Sequence, residues 1–133
     1  MILIDTSVLI DFLRGTKNAA ATTFDTILAS GIPYGINDFI YQELLQGART
    51  EEQFLRLKEY LETIPFYTLL LGSESFEKAA YMNFVCRTEG VTIRSTIDLL
   101  IAETAIENNL YLLHNDADFS HMAKIIPELK IYK

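Results

Sequence analysis

Cysteine occurs once in this 133-residue chain, proline three times, and no apolar run approaches the roughly 18 residues of a membrane span. A lone thiol, Cys86, cannot close an internal disulfide and offers none of the paired spacings of a structural zinc site. It falls in the helical stretch AAYMNFVCR, where a core thiol is the expected role. No charged-then-apolar leader opens the sequence, so the expectation is a soluble, cytoplasmic protein without a membrane partner. Linkers rich in Pro, Gly or Ser are missing too, and so are internal repeats. Residues 1–133 are therefore expected to form one domain around one core. Bases are in short supply, with 11 Lys and Arg against 18 Asp and Glu and a net charge of −7. That balance argues against broad, nonspecific adhesion to nucleic acid, which needs basic patches facing phosphates. A net charge is only a sum, however. Acids gathered in one pocket around cations would leave the rest of the surface less acidic than the total implies.

What is present is a well-supplied interior: half the residues are hydrophobic, with seven Tyr and eight Phe. Short apolar runs at 2–5 (ILID), 33–36, 66–71 (FYTLLL), 110–114 (LYLLH) and 129–132 (LKIY) predict strands. Between them lie helical stretches. VLIDFLR stops at Gly15 and NAAATTFDTILAS at Gly31, while Asn37-Asp38 caps FIYQELLQGA. Thr50 and Gln53 form a capping box for EEQFLRLKEYLETI, and Ser73 or Ser75 opens a helix to about Thr88. STIDLLIAETAIENN and DFSHMAKII follow. Apolar strands alternating with helices mean βαβ units, an α/β class and a parallel sheet covered on both faces. Ligands of such folds sit beyond the carboxyl ends of the strands, where the strand order reverses.

Acids stand at two of those ends. Asp5 follows the first strand and is either a helix cap or, if Thr6 or Ser7 caps instead, a free carboxylate on the rim. Asp116 and Asp118 follow the fourth strand; turn chemistry explains one of them, and Asp118 is expected to cap the last helix, leaving Asp116 over. Glu43 lies on or beside the apolar face of its helix, set by Phe39, Ile40 and Leu44, and reads as a solvated surface acid or a site residue. Asp98, in Ser95-Thr96-Ile97-Asp98, is either the acid of a capping box or a ligand above Ile101, Ala102 and Ala105. Four carboxylates meeting on one rim would repel one another unless a cation sat among them. All-oxygen ligation points to Mg²⁺ or Mn²⁺, and to the hydrolysis of a phosphodiester. His114 and His121 are expected to be structural or surface groups.

Taken in order, IDTSVLIDFLRG, the isolated Glu43, the STIDLLIAETA helix and HNDADF resemble the PIN-domain nucleases, and more narrowly the VapC-type toxins of toxin–antitoxin pairs. The resemblance implies a three-layer α/β/α fold with a central, mostly parallel sheet. It also implies Mg²⁺- or Mn²⁺-dependent endoribonuclease activity, with Asp5, Glu43, Asp98 and Asp116 as catalytic and metal-binding residues. Asp118 is a further candidate ligand, and Thr6, Ser7 and Asn115 are supporting residues. Asn115 stands where members often have Thr or Ser. An RNA substrate, a cognate antitoxin and a homodimer are the implied partners. A groove with Leu45, Phe54, Leu55, Leu57 and Leu61 is expected to take an antitoxin segment, one Arg of which could reach the carboxylates. Competing readings are a PIN-like scaffold without catalysis and a free-standing PIN nuclease. A haloacid-dehalogenase-like phosphatase needs a second Asp where Ser7 stands, and a receiver-like domain needs an acid pair at the first strand end and a late strand-end Lys.

Overall fold

A computed structural model describes all 133 residues. In chain order the elements are β1 (Ile2–Ile4), α1 (Thr6–Arg14), α2 (Ala19–Ser30), β2 (Tyr34–Gly35), α3 (Asp38–Gln46) and α4 (Glu51–Leu61). Then come α5 (Ser73–Thr88), α6 (Thr96–Glu107), β3 (Tyr111–Leu113), α7 (Ala117–Ile125) and β4 (Lys130–Ile131). The four strands form one sheet in the order β2-β1-β3-β4, with every pairing parallel. Successive side chains of a strand point to opposite faces. Ile2, Leu3 and Ile4 are nevertheless all buried, so helices cover both faces of the sheet. This is the α/β architecture that the alternation of strands and helices predicts. No helix is long and apolar enough to cross a membrane.

The chain goes from β1 to β2 on one side and returns to β3 on the other. The strand order therefore reverses between β1 and β3, which opens a crevice beyond their carboxyl ends. Ile4 pairs with Leu113, and the Asp5 N–H donates to the Leu113 carbonyl at 2.9 Å, carrying the pairing one residue further. Asp5 and the segment after Leu113 thus leave the sheet side by side. Around the sheet, α1 packs on α2 and α3, α5 packs on α6 and α7, and α3 meets α6. A single cluster of buried apolar side chains joins them, and it includes Cys86, whose thiol is pushed up by its burial.

One predicted strand is missing. Residues 66–71 contribute only a parallel bridge between Phe66 and Ile36. Beyond it, side chains at the end of α6 take over the backbone groups. The Leu70 N–H donates to Glu107 Oε1 at 2.7 Å, and Asn108 Nδ2 donates to the Thr68 carbonyl at 2.8 Å. The apolar run has strand composition, but its backbone is satisfied by a helix terminus instead of a sheet edge. Gly35 shows how closely it is held: a Cβ there would lie 2.5 Å from the Tyr67 ring and 2.6 Å from the Pro65 carbonyl.

Capping departs from expectation at several ends. Asn37 and Thr50 cap α3 and α4 as predicted. The Gln53 side chain, however, accepts from the N–H of Arg49, one residue before the cap. Neither Ser73 nor Ser75 caps α5, whose N-cap is Gly72, and Ser95 makes no capping bond to α6. Of the residues assigned to an apolar groove, Leu61 is fully buried in the core, Leu45 and Leu57 are half-buried against it, and only Phe54 and Leu55 are exposed.

Candidate functional site

Asp5 is the N-cap of α1, the first of the two roles expected of it. Its Oδ2 accepts from the Ser7 N–H at 3.0 Å and from Ser7 Oγ at 2.6 Å, while Oδ1 has no protein partner. Thr6 and Ser7 do not replace it as cap; they link it outward. Ser7 Oγ accepts from the Asn115 N–H at 2.9 Å, tying the end of β3 to the end of β1. Thr6 Oγ1 donates to Glu43 Oε1 at 2.9 Å, which draws the middle of α3 to the same rim. Glu43 is therefore not a solvated surface acid. Asn115 turns its side chain away, donating to Asp11 at 3.3 Å.

The cap expected of Asp118 falls to Asp116, and Asp118 takes a different role. Asp116 caps α7, its Oδ1 accepting from the Asp118 N–H at 2.9 Å. Asp118 lies inside the first turn, buried, and is held by Arg94. The cap belongs to Asp116 because it keeps extended backbone at the strand exit, whereas Asp118 is already helical. One oxygen of Asp116 remains free for other work.

Asp98 has no hydrogen bond at all, so the capping-box reading does not hold; Ser95 leaves the pairing unmade. Its carboxyl is pushed up to about 7, first by burial and then by the charges of Asp5, Asp116, Glu43 and Asp118. Burial also raises Asp5 and Glu43, although bonds from Ser7 and Thr6 oppose the rise. His114 accepts the Asp116 N–H on Nδ1 at 3.1 Å and is lowered by its own burial. Its ring is tilted against that of Phe119, with centroids 5.3 Å apart, and its burial works against a positive charge beside the acids. Two hollows, one beside Asn37, Tyr67 and Phe76 and one beside Tyr81, Met82 and Ile126, are lined by none of these acids.

Four elements thus deliver the four expected carboxylates and Asp118 within electrostatic reach of one another, at the crevice between β1 and β3. A match to the PIN domain family model runs over residues 2–125. The chain belongs to the PIN-domain family. This PIN domain is 32% identical over 126 residues to the VapC ribonuclease Mb1587 of Mycobacterium bovis, a match covering 94% of this chain and 93% of that one. The ribonuclease VapC11 of Mycobacterium tuberculosis matches to the same extent. Among solved structures it is similar to VapBC2 of Rickettsia felis, bound to a DNA fragment from their promoter, at a TM-score of 0.75 with 20% identity, covering 99% of this chain and 98% of that one. FitAcB of Neisseria gonorrhoeae superposes at 0.69 with 21% identity, covering 100% and 97%. At that identity the likeness is one of fold.

Donor chemistry on the PIN-domain rim suits a hard cation. Asp5, Glu43 and Asp116 each have one oxygen fixed by a donor of the chain and one without a protein partner, and Asp98 has both oxygens without one. In the side-chain positions described, no three carboxylates or histidines stand close enough to enclose an ion. The acids share a field; they do not form a closed cage. Two features went unseen in the sequence. One is the buried bond of 3.1 Å from Asn37 Nδ2 to Thr104 Oγ1, which joins the cap of α3 to the helix bearing Asp98. The other is a second acid pair on α6. Glu103, pushed up to about 8 by burial and by Glu107, keeps a proton for Glu107, whose Oε2 otherwise has no partner. A spacing of four on one helix was the available signal.

Proposed function

We propose that this PIN domain, residues 1–133 as one unit, is an endoribonuclease that hydrolyses RNA phosphodiester bonds with Mg²⁺ or Mn²⁺. The observation that carries the reading is Asp98, a helix-borne carboxyl driven to about 7 by burial and by four like charges that converge on it from three other elements. A fold keeps such a destabilising group where binding a cation relieves it. The relatives named ribonucleases support the substrate class.

Asp5, Glu43, Asp98 and Asp116 would hold the metal through their unpartnered oxygens, with Ser7 and Thr6 setting the angles of Asp5 and Glu43. When bound, the ion supplies a water made nucleophilic near neutral pH and a counter-charge for the oxygens of the phosphodiester. The protein's own part is to hold these acids together at one strand-end crevice, at the cost of raising Asp5, Glu43 and Asp98. It offers no Ser, Cys or neutral His base aimed into the cluster, since Ser7 Oγ is committed to Asp5 and Asn115, and His114 Nδ1 to Asp116.

The same reading makes the chain the toxin of a toxin–antitoxin pair, working as a homodimer and restrained by a partner protein. Similarity to VapC ribonucleases and to VapBC and Fit structures supports this. The exposed Phe54 and Leu55 of α4 are the part of the expected groove still open to such a partner. A second reading, a scaffold of PIN fold without catalysis, draws on the absence of any preformed three-ligand group.

One experiment separates the two readings: metal-stripped protein is incubated with cellular RNA in EDTA, Mg²⁺ or Mn²⁺, and the ends are mapped. The nuclease reading expects discrete new ends only with metal. Cutting that persists in EDTA, or no cutting with either ion, contradicts it.

A further inference from the structure

We propose that Arg94 is the arm of this site that receives an RNA phosphate, and that Asp118 is its anchor instead of a metal ligand. The inference rests on the ribonuclease reading above. Both oxygens of Asp118 are already engaged. Arg94 Nε donates to Oδ2 at 3.3 Å, Nη2 donates to Oδ1 at 3.4 Å, and the Arg94 N–H approaches Oδ2 at 3.5 Å. A carboxylate occupied in this two-pronged way has lost the free oxygen that Asp5, Glu43, Asp98 and Asp116 retain.

The other half of the pair is not buried with it: the Arg94 side chain is 75% exposed against 8% for Asp118. A guanidinium has five N–H donors. Two are bound to the Asp118 side chain, and the rest have no partner in the chain. The buried carboxylate fixes the plane of the fork and its outer edge faces solvent, the geometry that takes a phosphate on two parallel bonds. The position is also apt. Arg94 precedes α6 by a few residues and feels the charges of Asp116 and Asp98 as well as Asp118.

A chain of net charge −7 repels RNA at long range, and a rim made of acids repels it most where cutting must occur. A cation standing on that rim offsets part of that charge and offers a phosphate one attractive contact beside the acids. Arg14, Lys17, Arg49 and Arg87 are exposed as well, but none is held by an acid of the rim. Arg94 combines charge, fixed orientation and proximity to the carboxylates.

Binding of a fluorescein-labelled single-stranded RNA to metal-stripped protein in EDTA, followed by anisotropy across a salt series, tests this without cleavage. Calorimetric titration of Mn²⁺ runs in parallel. Arg94→Gln and Asp118→Asn should each weaken RNA binding about tenfold, and Arg94→Gln should reduce the log–log salt slope by about 0.7, the loss of one phosphate contact. Mn²⁺ affinity should stay within about twofold of wild type in both. In steady-state cleavage KM should rise with kcat little changed. Arg94→Lys, which keeps the charge and loses the fork, should retain the slope and recover part of the affinity. Wild-type RNA affinity and slope in Arg94→Gln, with only a lower melting temperature, would make the pair a structural latch and overturn the proposal. So would a large loss of Mn²⁺ affinity in Asp118→Asn, which would make Asp118 a ligand. If wild type itself takes up no Mn²⁺ and cuts no RNA, the ribonuclease reading falls and this proposal falls with it. If wild type does both while Arg94→Gln behaves identically, only the proposal fails.

Discussion

Replacing Asp98 by asparagine should stabilise the metal-free protein, and the gain should depend on pH in a direction opposite to that of an ordinary surface acid. In the fold this carboxyl is moved from 3.8 to about 7 by burial and by the charges of Asp5, Asp116, Glu43 and Asp118. Converted at about 1.4 kcal/mol per pH unit, the full displacement would be worth about 4 kcal/mol. Asp98 is partly open to water, and screening removes more than half of that, leaving a gain of about 1–2 kcal/mol. The sign follows from the folded value lying above the unfolded one. Wild-type stability is full below about pH 4, declines as pH rises, and carries its whole deficit above about pH 7. Asparagine cannot ionise, so the variant should match wild type near pH 4 and exceed it near pH 8. Urea unfolding in EDTA at pH 4.5, 6 and 8 reads this directly. A variant that is less stable at every pH, by the amount a lost helix cap costs, would refute the reasoning. So would a gain independent of pH. With Mn²⁺ at about 100 times its Kd, wild type should gain about 2.7 kcal/mol and the variant much less, reversing their order at pH 8.

Ser7→Ala should cost about 1–3 kcal/mol by urea unfolding, because it frees Asp5 and leaves the Asn115 N–H without its acceptor. No change would mean the link between β1 and β3 is dispensable. Thr6→Val keeps the shape but removes the donor to Glu43; calorimetry should show weaker Mn²⁺ binding, with stability lowered by about 1 kcal/mol. Gly35→Ala should be among the most damaging single changes, since its Cβ meets the Tyr67 ring at 2.5 Å; a melting temperature near that of wild type would contradict that packing. Glu103→Gln should leave stability flat between about pH 5 and 8, where wild type declines because folded Glu103, held up to about 8, keeps a proton that the unfolded chain has already lost. Parallel pH profiles for the two proteins would show that Glu103 does not carry the shared proton.

Much of this molecule was legible in its residues because the signals were local. Ile2–Ile4 and Leu112–Leu113 are apolar on both faces, which only a doubly covered parallel strand requires, and Gly15, Gly31, Asn37 and Thr50 end or begin helices where their chemistry says they should. Acids directly after two such strands gave the rim. What failed depended on partners distant in sequence. FYTLLL has strand composition, yet Glu107 and Asn108 take its backbone bonds. Asp118 looked like the cap because it stands in the turn, yet Arg94, 24 residues away, holds it buried and leaves the cap to Asp116. Asp5 caps its helix although Thr6 and Ser7 stood ready to do so, and it uses one oxygen for the task.

Titrating Mn²⁺ into metal-stripped wild type and Asp98→Asn, side by side at pH 8, tests most directly whether these acids exist to hold a cation. Wild type should bind saturably, and the variant at least tenfold more weakly, because the charge of Asp98 is one of those that the ion would neutralise. Identical isotherms for the two proteins, or no binding by either, would contradict it.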